Sequence, residues 1–470
     1  MPRWKQASVA LTATILAVAW VSPASAGQQS DRYQQLATEI LREMVESPSV
    51  STATDETAAL LEIVVGRLAE AGFEADDMTL VRSPGDVPNL VVRYVGTGTR
   101  RPVMLMAHVD VVGAEPGAWQ VHPFTFVEED GYYYGRGTSD NKAGATTLVT
   151  NFIRLRQEGY SPDRDLIMVL TGDEETTGDG INHLVNQRRD LVDAELALNT
   201  DSGGGAYDPN GEPQAFKVQT SEKLYQSYEL ETANPGGHSS LPRPDNAIYR
   251  LAKALGRIES HSFPIELNAG TRLFFERSAA LQHGSTGDLM RAVAGEQVDI
   301  DAAHELARSS PLFNATLRTT CVATMLSGGH AENALPRAAK ATVNCRILPG
   351  RTPEETEVVL REVVDDEEVS IRPTGVATPS QPSAWDPELM GPIEALVQQM
   401  WPGTPVIPNM GTGATDGLYV RNAGIPVYAL SAIFSDPDDS RAHGLDERVG
   451  VKEFHDAIEF WYRMLKRVSS

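Results

Sequence analysis

Pro102-Val103-Met104-Leu105-Met106-Ala107-His108-Val109-Asp110 is the segment on which the fold turns. Residues 102–107 are apolar without the alternation of a half-exposed strand. They read as a strand covered on both faces, with a His and an Asp emerging at its carboxyl end. The design recurs downstream. Asp165 to Thr171 is a short apolar strand followed by Gly172-Asp173-Glu174-Glu175, and Glu195 to Asn199 runs into Thr200-Asp201. Asn89 to Tyr94 reads as another strand. Helical spacing fills the intervals: Tyr33 to Val45, stopping near Ser47-Pro48; Asp55 to Ala71, closed by Gly72; and Asn141 to Glu158, ending at Gly159. Helices alternating with doubly covered strands predict an α/β fold with a mostly parallel sheet.

The texture changes after about Gln219. Leu224 to Thr232 alternates like a strand with one wet face, Asn246 to Ile258 is helical, and Ser262 to Pro311 has no clear period. Ala315 to Leu326, Ala341 to Leu348 and Val369 to Pro373 read as strands, with a helix at Pro353 to Val364. From Gln381 the α/β texture returns, with a helix at Pro387 to Met400, a strand at Pro426 to Leu430 and a last helix at Lys452 to Val468. The expected organisation is a catalytic α/β domain in two pieces, 27–222 and 374–470. Between them lies an inserted α+β lid or dimerisation domain, 223–373.

The 470 residues are 41 % hydrophobic and 22 % charged, a globular composition. Acidic residues outnumber basic ones by 64 to 40, for a net charge of −24. Such a surface repels phosphate backbones and anionic lipid, which argues against nucleic-acid binding and electrostatic membrane docking. Residues 1–26 read as a secretory signal: Arg3 and Lys5, an apolar run from Ala7 to Trp20, then Ala24-Ser25-Ala26 as the cleavage site. No later stretch approaches the roughly 18 consecutive apolar residues of a membrane span. The mature protein is therefore expected to be exported, periplasmic or secreted, and to begin near Gly27. The two cysteines, Cys321 and Cys345, read equally as one bridge or as two buried thiols.

His-Glu-x-x-His, Gly-x-Ser-x-Gly and P-loop motifs are absent. Gly411 to Gly417 misses the dinucleotide fingerprint by one position and follows no convincing strand. The informative feature is that several strands deliver carboxylates and one His to a common sheet edge, where ligands bind in open α/β folds. Asp140, in Gly135-Arg136-Gly137-Thr138-Ser139-Asp140-Asn141-Lys142, joins them just before a helix. Each carboxylate alone reads as a cap or a solvated loop residue. Together, with little Lys or Arg nearby, they call for a metal.

Met106 to Val112, Tyr134 to Gly144, Gly172 to Glu175, Asn199-Thr200-Asp201, Gly236-Gly237-His238-Ser239 and His443-Gly444 span nearly the whole mature chain. In that order they resemble the zinc-dependent exopeptidase and deacylase family of carboxypeptidase G, carboxypeptidase S, aminoacylase and succinyl-diaminopimelate desuccinylase. Trp119-x-x-His122-Pro123-Phe124 is similar to the carboxypeptidase S and aminoacylase branch. The resemblance implies two Zn²⁺, with Co²⁺ or Mn²⁺ as substitutes for the same ligands. Asp140 would bridge them, His108 and Asp201 would complete one site, and Glu175 and His443 the other, leaving an open position on each for a shared water. It further implies Glu174 as general base on that water. Asp110 would fix the His108 ring, and His238 would reach the active site of a partner in a homodimer. Asn333, Arg346 and Gly413 would contact substrate, and a cis peptide would follow Asp140. Arg346 suits a carboxylate because its planar fork can grip both oxygens. The segment at 262–311 looks longer than in compact relatives, and Cys345 stands beside Arg346 where several relatives have Asp.

The sequence thus reads as an exported dizinc hydrolase cleaving an amide or peptide bond in small dipeptides or N-acyl amino acids with a free carboxylate. Two other readings stand beside it: a dedicated N-acyl or N-succinyl deacylase of the same fold, and a non-catalytic metal- or peptide-binding protein. Retention of Glu174 speaks against the second, because a structural site has no use for a free carboxylate.

Overall fold

The computed structural model describes residues 23–282 and 284–470. The expected signal lies outside the described residues up to residue 22, and a helix, Pro23–Glu46, runs through the expected cleavage point. Among the described residues no helix is long and apolar enough to cross a membrane.

The larger layer is a ten-stranded sheet. Four strands at its centre run parallel in the order Leu166–Thr171, Val103–His108, Leu196–Asn199, Val427–Ala429. Antiparallel strands flank them: Val87–Tyr94 and Met78–Ser83 on one side, Pro213–Glu222 on the other. Every residue of Val103–His108 and Leu166–Thr171 is buried. Successive residues feed two different cores. Val103, Leu105, Met168 and Leu170 pack with Leu148, Phe152 and Trp461, whereas Met104, Met106, Ile167 and Val169 pack with Ile181 and Leu184. That two-sided burial is the reason these strands show no alternation. The helix Lys142–Gln157 is buried over almost its whole length and lies between the sheet and the helices Pro23–Glu46 and Val451–Val468.

The inserted layer is a separate antiparallel sheet, ordered Thr320–Gly328, Ala338–Ile347, Leu224–Ala233, Val369–Thr374. Ala338–Ile347 alternates half-buried and buried at each step, and its buried residues pack under the helices Ala247–Ser260 and Pro353–Val364. Cys321 and Cys345 face each other across the first two strands and form a disulfide. The stretch without a clear period resolves into helices, Ala269–Ser278, Ser285–Ala294, Ile300–Ser309 and Pro311–Leu317, with their own apolar core around Phe275, Met290 and Leu306. The first of them docks on the larger sheet, where Arg277 donates to the Val406 carbonyl at 2.7 Å and to Glu394 at 2.6 Å.

Several strands went unread in the sequence, two of them beside the parallel core of the larger sheet. Pro213–Glu222 is rich in polar residues, and Val406–Gly411 holds Pro408, which lowers strand propensity. The second corrects an expectation: Gly411 to Gly417 does follow a strand, one that pairs in parallel with Pro213–Glu222.

Candidate metal centre

The carboxyl ends of three adjacent parallel strands meet as the sequence suggested. His108 ends its strand opposite Thr171, two residues before Asp173, and Asp201 follows the strand Leu196–Asn199 directly. His108 Nε2 lies 3.0 Å from Asp140 Oδ1 and 3.4 Å from Asp201 Oδ1. The other Asp140 oxygen lies 3.2 Å from His443 Nε2, which is 2.8 Å from Glu175 Oε2. One oxygen of Asp140 thus faces each side. Two donor triads, His108–Asp140–Asp201 and Asp140–Glu175–His443, share it, each with its donor atoms within 4.8 Å of one another. Glu174 forms a third cluster with His108 and Glu175, with Oε2 3.9 Å from His108 Nε2.

Local sequence explains the placement. Gly144 lets the helix Lys142–Gln157 start against the strand end: a Cβ there would sit 1.9 Å from Asn141 Oδ1 and 2.3 Å from Thr200 Oγ1. The Asp140–Asn141 peptide is cis, as the resemblance implies, and His443 adopts a positive φ of 61°. A non-glycine residue in that region costs energy and tends to occur where geometry is functionally constrained.

Asp110 lies against the His108 ring and also reaches the neighbouring glutamates. The His108 Nδ1–H donates to the Asp110 backbone carbonyl at 3.0 Å, while the Asp110 carboxylate stands 3.5 Å away. That carboxylate also accepts the backbone N–H groups of Glu174 and Glu175, each at 3.2 Å. Asp110 therefore orients the Glu174–Glu175 turn with its side chain and the His108 tautomer with its backbone. With Nδ1 so engaged, Nε2 is the ring nitrogen that faces Asp140 and Asp201.

Electrostatics agree with the geometry. Burial, then the nearby Asp201 charge, pushes the Glu174 carboxyl well above its usual range. Burial likewise raises Asp201. Hydrogen bonding to Asp140 and Glu175 raises His443 to about 10. The buried cations nearby serve other partners: Lys142 Nζ donates to the Met44 and Ser47 carbonyls, both at 2.8 Å, and Arg136 pairs with Glu447. Crowded carboxylates with two imidazoles and, among the described residues, no free ammonium form a donor set suited to divalent metals that accept nitrogen and oxygen.

The structure does not bring the remaining sequence-predicted residues into this cluster. His238 is exposed on a two-stranded ribbon of the inserted domain, and Asn333 is exposed in the turn just before its second strand. Arg346 lies at the junction of the two layers. It stacks on Tyr225 with 4.7 Å from guanidinium carbon to ring centroid and donates to the Thr412 carbonyl at 3.2 Å, beside exposed Gly413. Asp416, unremarked in the sequence, lies deep in the same loop. It accepts from Thr171 Oγ1 at 2.5 Å, and burial raises it to about 8. Glu447 was also missed. A lone carboxylate in an irregular loop carries no sequence signal.

Residues 104–467 match the profile of peptidase family M20/M25/M40. The chain belongs to this family. It is 30 % identical over 380 residues to human N-fatty-acyl-amino acid synthase/hydrolase PM20D1, covering 79 % of this chain and 74 % of that protein. It is 26 % identical to the probable carboxypeptidase S-like 2 of Dictyostelium discoideum, over 78 % of this chain and 71 % of that one. Among solved structures, an M20 metallo-carboxypeptidase of Sulfolobus solfataricus superposes with a TM-score of 0.69 at 21 % identity, covering 92 % and 98 % of the two chains. Human carnosine dipeptidase 1 superposes at 0.66 with 13 % identity, covering 94 % and 98 %. Those two likenesses are of fold. As a member of the M20 family the chain is an enzyme of the peptidase and amidohydrolase kind.

Proposed function

We propose that this enzyme is an exported dizinc hydrolase that cleaves the amide bond of N-acyl amino acids or small dipeptides carrying a free carboxylate. The observation that carries the reading is Asp140, which turns one oxygen to each of two donor triads while Glu174 stands beside both. His108 and Asp201 would hold one zinc, Glu175 and His443 the other, with Asp140 shared. When bound, the metals supply polarisation of the scissile carbonyl and a lowered pKa for the attacking water.

The chain's own residues do the rest. Glu174 takes a proton from the water and returns it to the departing amine. Asp110 keeps Glu174 aimed by accepting the backbone N–H of its turn. Arg346 has no carboxylate partner among the described residues and offers its fork to the free carboxylate of the substrate, with the Thr412–Gly413 backbone alongside. The curated relative named for N-fatty-acyl amino acids places these compounds first among substrates to try.

Export is supported by the expected signal and by the Cys321–Cys345 disulfide, a bond that persists in oxidising compartments. The partner is a second copy of the chain. The outer strand of the inserted sheet, Thr320–Gly328, shows Val322, Met325 and Leu326 to solvent, and Ile248 and Tyr249 on the neighbouring helix add to the patch. An uncovered apolar edge strand is a surface that pairs.

The full chain, loaded with zinc, is tested on a panel of dipeptides and N-acyl amino acids of graded acyl length, with amine release measured before and after chelation. Chelator-sensitive release that returns on adding zinc is expected, and the preferred members separate peptidase from deacylase. Binding of zinc without release from any member would count against the hydrolase. Failure to bind zinc would remove the centre itself.

A further inference from the structure

We infer that Glu447 is the positioning residue that locks the Asp140 loop to the His443 loop. The inference rests on the metal reading above and adds a residue to it.

Glu447 is fully buried and lies four residues after His443. Five donors converge on its carboxylate. Oε1 accepts the backbone N–H of Ser139 at 2.8 Å, that of Asp140 at 3.0 Å and the Ser139 hydroxyl at 3.2 Å. Oε2 accepts the Gly137 N–H at 3.1 Å and Arg136 Nη1 at 2.7 Å. The backbone closes the same junction, with the Gly135 N–H on the Glu447 carbonyl at 3.0 Å. Arg136 reaches back with its other nitrogen to the Gly444 carbonyl at 3.1 Å, its guanidinium resting 5.0 Å from the Trp119 ring.

The loop so gathered presents Asp140, and the loop that supplies Glu447 presents His443. These are the two groups that meet at 3.2 Å in the second triad. One carboxylate therefore gathers most of the hydrogen bonds that tie the two loops, beside the Gly135–Glu447 backbone bond and the Arg136–Gly444 bond. Each of its five contacts is received, so an amide cannot substitute: whichever way the side chain turned in Glu447→Gln, its NH₂ would face N–H donors. The charge also has its counter-ion in Arg136, so Glu447 carries no demand for the metal itself. It acts through Asp140 and His443.

The test uses the full chain as wild type, Glu447→Gln, and Leu465→Ala, a core change in the C-terminal helix far from these loops. Zinc affinity is measured by competition with a chromophoric chelator, and melting is recorded in excess EDTA. Glu447→Gln is expected to weaken zinc by about 10- to 100-fold, the usual effect of losing an outer partner. Leu465→Ala is expected to melt lower and bind zinc as wild type does. Wild-type zinc affinity in Glu447→Gln, or equal weakening in Leu465→Ala, overturns the inference. Absence of zinc binding by the wild type overturns the metal reading instead. If Glu447→Gln does not fold, Arg136→Lys decides, since it keeps Glu447 and its backbone donors and cuts the tie to Gly444. About three- to tenfold weaker zinc binding, one hydrogen bond's worth, is expected there. Unchanged binding would sink the proposal.

Discussion

Glu174 and Glu175 are chain neighbours with different duties, and a single carboxylate, Asp110, separates them by holding both their backbone N–H groups. Glu175 is committed to His443 at 2.8 Å, whereas Glu174 stands 3.9 Å from His108. Glu174→Gln should therefore keep zinc content unchanged and lower kcat by about 10²- to 10⁴-fold, the range of general acid–base catalysis. Elemental analysis beside steady-state kinetics checks it, and retained turnover would refute the role. Arg346 belongs to binding rather than chemistry. Arg346→Ala should raise KM by roughly 10- to 100-fold, the worth of charge-assisted hydrogen bonds, and leave kcat closer to wild type. A substrate whose carboxylate is converted to an amide should be handled alike by both enzymes. If the variant loses as much on the amide, Arg346 does not hold the carboxylate.

Elements of the inserted domain depend on local chemistry that can be removed piece by piece. The helix Pro353–Val364 begins with a reciprocal cap: Thr352 Oγ1 accepts the Glu355 N–H, and the Glu355 carboxylate accepts the Thr352 N–H, both at 3.1 Å. Thr352→Ala should cost about 1 kcal/mol in denaturant unfolding without altering activity. The disulfide spans 24 residues between adjacent strands. Replacing both cysteines by Ser should cost about 3 kcal/mol by the chain-entropy estimate, read as a lower denaturant midpoint. A midpoint unchanged by either substitution would mean that the inserted domain does not limit stability. At this scale the sequence was legible where the hydrophobic period was unmixed. The bounds of Pro353–Val364 and Pro387–Met400 match the reading residue for residue. It failed at Val406–Gly411, where a proline sits in a strand on the sheet's margin, and at residues 262–311, whose helices bury their faces on one another in short pieces.

For the whole molecule, two dependences follow. A metal bound only by the folded chain stabilises it by mass action. Chelation should therefore lower the melting temperature, and zinc should restore it. The exposed strand Thr320–Gly328 makes a second prediction. Val322→Lys with Leu326→Lys should convert a dimer to a monomer in sedimentation velocity at micromolar concentration, with the fold retained by circular dichroism. Because His238 is exposed and apart from its own chain's cluster, the monomer should also lose activity if that side chain serves the partner's site. A monomeric wild type would remove both the interface and that role.

The sequence by itself determined the α/β layering, because strands covered on both faces leave unbroken apolar runs that no exposed element can carry. It also marked His108, Glu174, Glu175 and Asp201 at the ends of such strands and Asp140 just before a helix, since that many carboxylates gathered with little Lys or Arg nearby call for a cation. His443, Asn333 and Arg346 came from resemblance, because nothing in their own neighbourhoods distinguishes them. Tertiary structure alone decided which oxygen of Asp140 faces which histidine, that Asp110 holds the glutamate turn as well as the His108 ring, and that Cys321 and Cys345 are paired across two strands. It alone revealed Glu447, whose five donors come from a segment more than 300 residues away in the chain. A hydrogen bond depends on position in space, and local sequence patterns record only the spacing of neighbours along the backbone.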